Sequence, residues 1–150
     1  MDKIFHFDCE QEVYRADACV ISCFDARFDQ ALRKFLKRSG IQLYDHIKIP
    51  GSVKALGAPD REEDREFVLG MVRTSMRLHR PAKLLLFAHQ DCGAYPGVPP
   101  AIVAADVMKA AKFMQSAEPA LACEQYFCDF DGIYAIASGV VNVACAASGG

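Results

Sequence analysis

The chain lacks the features that would assign it to a membrane, nucleic-acid-binding or secreted class of protein. No apolar run in its 150 residues approaches the roughly 20 residues that a membrane-spanning helix needs. The formal net charge is only -2 and no basic stripe is present, so neither nucleic acid nor an anionic membrane is expected as a partner. The N-terminus has no apolar core of a secretory signal peptide, which favours a cytoplasmic location.

The motifs of several common cofactor and redox sites are also missing. No Gly-x-Gly-x-x-Gly follows a predicted strand and no Walker loop occurs, so a nucleotide or dinucleotide site is not predicted. The absence of Cys-x-x-Cys argues against a thioredoxin-like protein. The spacing between Cys23 and Arg27 is too short for the phosphate-binding loop of a cysteine phosphatase.

The composition is typical of one folded globular domain, with 52% hydrophobic and 24% charged residues. We expect a single domain over residues 1–150, with an N-terminal extension at 1–17 and a loose tail at 144–150. The cysteines number seven, which is odd, and several have apolar neighbours. This pattern indicates buried, reduced thiols rather than a disulfide framework.

Hydrophobic patterns predict strands that alternate with helices. The predicted strands are residues 18–24, 45–50, 83–88 and 132–143, the last including a hairpin that turns near Ser138 and Gly139. The predicted helices are residues 28–38, a long helix between Pro59 and Pro81, and residues 102–114. This order predicts a three-layer α/β/α fold with a mainly parallel four-stranded sheet of order 2-1-3-4, to which an antiparallel edge strand can add.

The spacing of apolar residues also predicts which helix faces are buried. On the long helix the predicted buried residues are Phe67, Val68, Met71, Val72, Met76 and Leu78. On the last helix they are Val103, Val107, Ala110 and Met114.

Side chains that bind metals follow the first and third predicted strands. The first strand leads into Cys23-Phe24-Asp25-Ala26-Arg27, and the third leads into His89-Gln90-Asp91-Cys92-Gly93. Ligands of parallel sheets bind beyond the carboxyl ends of strands where the strand order reverses, so both motifs are expected at one crevice. Cys23, His89 and Cys92, with no obvious fourth ligand, predict an open, catalytic Zn2+ site. The alternative is two ordinary buried thiols and a histidine that is satisfied within the core.

Asp25 and Arg27 are predicted to assist this site. Two thiolates and one neutral imidazole leave zinc without net charge, so it acidifies water less than zinc held by three histidines. In an extended segment Cys23, Asp25 and Arg27 point to one side, where Arg27 can hold Asp25 ionised and away from the metal. Asp25 would then accept a hydrogen bond from zinc-bound water and orient the hydroxide. The alternative is a helix N-cap and a surface ion pair.

With these motifs the chain resembles the β-class carbonic anhydrases, whose signature is Cys-x-Asp-x-Arg followed by His-x-x-Cys-Gly. The resemblance extends to the order of strands and helices over residues 18–143. It implies that Cys23, His89 and Cys92 bind zinc, that Asp25 and Arg27 form the assisting pair, and that zinc-bound hydroxide converts carbon dioxide to bicarbonate. It also implies a homodimer or higher homo-oligomer with the active site near a subunit boundary.

The sequence departs from this family in ways that leave other hypotheses open. Pro50-Gly51-Ser52 stands where the family usually has Arg-Asn-Ala-Gly lining the substrate cleft, so the substrate could instead be carbonyl sulfide or carbon disulfide. The segment before the first predicted strand is expected to lack most of the N-terminal helical arm that typically wraps a partner. In some members the aspartate occupies the fourth zinc position. A site closed by Asp25 or a spare cysteine would make the protein a structural or regulatory zinc module without turnover.

Overall fold

Five strands form one sheet in the computed structural model, which describes residues 1–9 and 12–136. The strands are β1 (Ala18–Ser22), β2 (Tyr44–Lys48), β3 (Lys83–His89), β4 (Ala122–Cys128) and β5 (Ile133–Ala135). Their order is β2-β1-β3-β4-β5; the first four are parallel and β5 runs antiparallel to β4. The predicted fold class, sheet order and antiparallel edge strand are therefore confirmed.

Helices cover both faces of the sheet and form its outer layers. They are α1 (Asp29–Arg38), α2 (Lys54–Gly57), α3 (Glu62–His79) and α4 (Pro100–Ala117). Helix α1 packs Leu36 against Val20 on one face, whereas Ile21 faces a second cluster with Val72 and Val107 on the other. All five residues of β1 are buried, as expected for a strand covered on both sides. Among the described residues, no helix is both long and apolar enough to cross a bilayer.

The predicted position of the fourth strand is wrong. The fourth parallel strand is Ala122–Cys128, and of the predicted segment only Ile133–Ala135 forms a strand within the described residues. Glu124 breaks the apolar pattern of β4, but its carboxylate accepts hydrogen bonds from Lys83 at 2.8 Å and from Tyr126 at 2.7 Å, which satisfy it there. The predicted hairpin turn and the predicted tail lie outside the described residues.

The predicted buried face of the long helix is also partly wrong. Phe67 is 68% exposed and Leu78 is 50% exposed on α3. The helix instead turns Ser75 inward, where its hydroxyl donates to Asp45 at 2.6 Å, and His79 bonds the same carboxylate. The inward face of α3 includes polar residues. Apolar spacing alone therefore predicts the wrong position for the buried face of this helix. The prediction for α4 is confirmed, since all four of its predicted residues are buried.

Candidate metal centre

The parallel register of β1 and β3 brings their carboxyl ends together. Ile21 pairs with Leu86, so Cys23 just beyond β1 lies beside the end of β3, where His89 is the last residue. With β2 on the far side of β1, this is the point at which the strand order reverses. The Sγ atoms of Cys23 and Cys92 are 4.0 Å apart. One ligand atom from each of Cys23, His89 and Cys92 lies within 4.8 Å of the others.

The imidazole of His89 presents a lone pair to this cluster. Its Nδ1 donates to the carbonyl oxygen of Gln90 at 2.8 Å, which fixes the tautomer and leaves Nε2 as the acceptor. His89 is 5% exposed, and its Nε2 has no hydrogen-bond partner among the described residues. Phe28 packs on the ring, with centroids 4.6 Å apart. A buried nitrogen left unsatisfied costs free energy, and a metal ion is a partner that would satisfy it.

The pKa values of the two neighbouring thiols shift in opposite directions. A hydrogen bond from the Cys92 thiol outweighs the effect of burial and lowers the pKa of Cys23. The neighbouring Cys23 thiolate, together with burial, raises the pKa of Cys92. One thiol therefore ionises readily while the other keeps its proton, and a cation between them would be needed to ionise both. Together with Nε2 of His89, this donor set fits zinc.

Arg27 holds the Asp25 carboxylate on both oxygens. The Nε of Arg27 donates to Oδ1 at 3.0 Å and its Nη2 donates to Oδ2 at 2.6 Å. Hydrogen bonding to Arg27 lowers the pKa of Asp25 to about 2. Arg27 lies in a 3-10 turn at Ala26–Phe28, so the prediction that it shares one side of an extended segment is wrong. Asp25 caps this turn by accepting from the Arg27 backbone N–H at 3.0 Å, so the cap and the Asp25–Arg27 ion pair coexist.

Two residues that sequence reasoning did not identify complete the surroundings of Arg27. Nη1 of Arg27 donates to the Asp91 carboxylate at 2.9 Å, and Nη2 donates to the Asp91 carbonyl at 3.0 Å. Phe130 lies 5.6 Å from the guanidinium and covers it. Asp91 could have been suspected from its place inside the His-x-x-Cys motif. No sequence pattern indicates that Phe130 lies near Arg27, since its position depends on the connection between β4 and β5.

The segment Pro50-Gly51-Ser52 packs directly against the centre. Gly51 adopts φ 69° and Ser52 adopts φ 51°, both in the left-handed region. A Cβ on Gly51 would lie 2.7 Å from the Cβ of Ala94, so glycine is required for this close approach. The Gly51 backbone N–H favours the thiolate forms of Cys23 and Cys92. The Ser52 hydroxyl donates to the Phe87 carbonyl of β3. The segment thus stabilises the thiolate forms of both cysteines through a backbone N–H group.

A small cavity of about 20 Å³ adjoins the centre. Its lining is mostly apolar and includes Phe28, Leu32, Phe87, Ala88 and Cys128. Polar groups are contributed by Ser22, Cys23, Asp25, Asp29 and His89. A cavity of this volume holds one water-sized molecule.

The fold and this centre define a class of protein: a mainly parallel α/β protein with two thiols and an imidazole where its strand order reverses. The chain belongs to the carbonic anhydrase family, because the family model described as "Putative carbonic anhydrase" matches residues 14–137. The resemblance to the β class inferred from the two motifs is therefore confirmed. No curated protein sequence matches the chain significantly.

Solved structures with the same fold include carbonic anhydrases and a related hydrolase. The carbonic anhydrase of Streptococcus mutans superposes with a TM-score of 0.62 at 12% identity, over 88% of this chain and 89% of that one. A tetrameric β-carbonic anhydrase of Sordaria macrospora gives 0.59 at 13% identity, over 85% and 84%. The apo form of a carbon disulfide hydrolase gives 0.54 at 10% identity, over 81% and 79%. At these identities the likeness concerns the fold alone.

Proposed function

We propose that this protein is a zinc-dependent enzyme that reversibly hydrates carbon dioxide to bicarbonate. The observation that carries the proposal is the convergence of Cys23, His89 and Cys92, with His89 Nε2 lacking a hydrogen-bond partner among the described residues. Membership of the carbonic anhydrase family supports the reaction class. Zinc bound to these residues would lower the pKa of a coordinated water and so supply a nucleophile near neutral pH.

Asp25 would orient the attacking water. With its pKa lowered to about 2, the carboxylate stays ionised at neutral pH and can only accept hydrogen bonds. It would accept a hydrogen bond from the water and leave an oxygen lone pair directed at the substrate. Arg27, itself held by Asp91, keeps the carboxylate from rotating. The mostly apolar lining of the cavity suits a substrate that has no hydrogen to donate.

The geometry favours an open site over a closed structural one. Asp25 is committed to Arg27 through both oxygens and is not part of the group of converging ligand atoms. Among the described residues that group contains three donors. We therefore propose that the fourth position serves the reacting water, against the alternative of a non-catalytic zinc module.

The second candidate function is hydrolysis of carbonyl sulfide or carbon disulfide at the same centre. Pro50-Gly51-Ser52 favours this alternative, because the segment approaches the sulfurs through its backbone and Ser52 turns its side chain toward β3. The segment thus offers no long polar side chain for recognising bicarbonate. A less polar substrate with the same linear shape would be accepted more readily.

We also propose that the domain acts as a homodimer or larger homo-oligomer. The Sordaria macrospora enzymes with this fold are tetrameric, which supports an assembly of copies. The exposed Phe67 on α3 is an apolar side chain that such an assembly could cover. Sedimentation of the purified protein over a range of concentrations would test it, and a monomer at all concentrations would contradict it.

Metal analysis combined with stopped-flow hydration tests the proposed function. Wild type is expected to bind one zinc per chain and to hydrate carbon dioxide between about pH 7 and pH 9. Cys92→Ser should lose both properties, whereas Cys9→Ser, which alters an exposed cysteine, should keep them. Bound zinc without hydration at any of these pH values would reject the reaction. Turnover of carbonyl sulfide or carbon disulfide alone would select the second candidate.

A further inference from the structure

The turn between β4 and β5 contacts both segments of the proposed metal centre, although it carries none of the motif residues. The turn consists of residues 129–132. It is closed by the Asp129 N–H, which donates to the Gly132 carbonyl at 2.8 Å, and Asp129 Oδ1 accepts from the Phe130 N–H at 2.6 Å. These local bonds fix the positions from which the side chains of Asp129 and Phe130 extend. Phe130 is 62% exposed, so burial in the core does not explain its place.

Asp129 holds Gln90, the residue whose carbonyl oxygen orients His89. With its nitrogen turned toward Asp129, the side-chain amide of Gln90 donates to both carboxylate oxygens, and the distance to Oδ2 is 2.9 Å. This orientation presents a donor, rather than the amide oxygen, to the carboxylate. The Gln90 backbone N–H also donates to the Cys128 carbonyl, at 2.9 Å. Gln90 is thus held through its side chain and its backbone while its own carbonyl accepts from Nδ1 of His89.

Phe130 contacts the other segment of the centre through Arg27. The guanidinium carbon lies 5.6 Å from the centroid of the Phe130 ring and 5.8 Å from that of Phe28, and the two rings stack with centroids 5.7 Å apart. The Arg27 side chain is 47% exposed, so water would otherwise weaken its pairing with Asp25. The aromatic contacts restrict that access and add a cation–π attraction. Phe130 therefore helps to keep Arg27 on the Asp25 carboxylate.

We propose that Asp129 and Phe130 are positioning residues of the metal centre. Asp129 acts on His89 through Gln90, and Phe130 acts on Asp25 through Arg27. Groups that hold a metal ligand from behind fix the direction of its lone pair, and their loss typically lowers metal affinity or activity about 10- to 100-fold. The role of Phe130 rests on the proposed hydration of carbon dioxide, whereas the role of Asp129 rests only on the proposed metal site.

Zinc affinity, measured by competition with a chromophoric chelator, tests the role of Asp129. We expect Asp129→Ala to bind zinc about tenfold more weakly than wild type, because Gln90 loses the group that holds its side chain. Asp129→Asn, whose amide can pair with the amide of Gln90, should bind zinc as wild type does. Asp131→Ala is the matched control in the same turn, since Asp131 accepts from Tyr134 at 2.8 Å, and it should also match wild type. Equal affinities in Asp129→Ala and wild type would overturn this role.

Hydrogen exchange at Nε of Arg27 tests the role of Phe130 in the metal-free protein, where no reaction takes place. Followed by ¹⁵N NMR, this Nε–H should exchange with water about tenfold faster in Phe130→Ala, because the guanidinium loses its aromatic cover. Phe130→Tyr keeps the ring and should exchange as wild type does, as should Asp131→Ala. An exchange rate in Phe130→Ala equal to that of wild type would show that Phe130 does not hold Arg27.

Stopped-flow hydration then separates the positioning role from the function on which it rests. Zinc-saturated Phe130→Ala should keep the wild-type zinc affinity and lose about tenfold in kcat, which Phe130→Tyr should restore. A kcat that stays at the wild-type value in Phe130→Ala would overturn the role of Phe130 while leaving hydration in place. Absence of hydration in zinc-saturated wild type would overturn the proposed function, and with it the role of Phe130, whereas the zinc affinities alone decide the role of Asp129.

Discussion

At the scale of single residues, the fixed position of Asp25 decides what its carboxylate can do. Arg27 engages both oxygens, and Asp91 in turn holds Arg27 from the loop that carries Cys92. The carboxylate is therefore tied to both proposed ligand segments at once. A freely rotating aspartate at this position could bind the metal, whereas this one faces the space where a substrate would react.

We expect Asp25→Asn to slow hydration about 100-fold while the zinc content stays at the wild-type value, because a neutral amide accepts a weaker hydrogen bond from the water than a carboxylate does. Stopped-flow rates and metal analysis on the same sample check this. Asp8→Asn, at an exposed carboxylate, is the matched control. An unchanged rate in Asp25→Asn would show that Asp25 does not assist the reaction. Loss of zinc would indicate that Asp25 is a zinc ligand.

The same pair should make stability depend on pH in the acid range. The folded-state pKa of Asp25 is about 2, below the value of about 3.9 expected when unfolded. Its stabilisation is therefore full above about pH 4 and is lost as the pH falls through 2. Urea unfolding should show Asp25→Asn about 1 kcal/mol less stable than wild type at neutral pH, with the difference shrinking as the pH falls through 2. A difference that does not shrink over this range would have another origin.

At the scale of secondary-structure elements, the turn between β2 and α2 gives a sharp steric test. Gly51→Ala places a methyl group 2.7 Å from the Ala94 Cβ at a backbone φ of 69°. We expect about 2 kcal/mol lower stability and about tenfold weaker zinc binding, since the turn supports both sulfurs. Gly70→Ala, in the exposed interior of α3 with nothing within 4 Å, should instead stabilise by about 1 kcal/mol. Unchanged zinc affinity in Gly51→Ala would show that the turn does not support the centre.

A group of hydrogen bonds to Asp45 joins α3 to β2 at the end of the sheet opposite the metal centre. Asp45 accepts hydrogen bonds from Ser75 at 2.6 Å, from Tyr14 at 2.5 Å and from His79 at 2.8 Å. Burial raises the pKa of Asp45, but these bonds outweigh it and lower the pKa. We expect Asp45→Ala to cost about 3 kcal/mol in the free energy of unfolding, with kcat/KM for hydration unchanged. A fall in kcat/KM at full folding would link this end of the sheet to the reaction.

How far the sequence predicted the elements depended on the regularity of their apolar patterns. β1 and β3 are continuous apolar runs, so their carboxyl ends, and with them Cys23, His89 and Cys92, could be placed correctly. β4 carries Glu124, which is satisfied by its bonds to Lys83 and Tyr126, and the apolar pattern did not predict this strand. Similarly, the inward face of α3 contains Ser75, whose partner Asp45 is distant in sequence. Local patterns do not report such long-range polar pairs.

At the scale of the whole molecule, the centre joins the two halves of the chain. Cys23 and Cys92 are 69 positions apart in sequence and meet only because β1 and β3 pair. An ion bound between them would stabilise the folded chain alone. Saturating zinc should therefore raise the free energy of unfolding by about 3 kcal/mol or more, and a chelator should reverse the gain. Cys92→Ser should respond to neither, and a zinc-independent stability in wild type would argue against a structural contribution of the metal.

The separation of the two ligand segments also orders events during synthesis. Cys23 leaves the ribosome long before Cys92, and β1 has only β2 to pair with until β3 arrives. Parallel pairing of distant strands forms slowly because loops must close first. The nascent chain therefore passes through a period in which Cys23 has neither its thiol neighbour nor a metal. If the centre binds zinc as proposed, its loading would be a late step of maturation, and cells short of zinc would accumulate completed, folded chains without the ion.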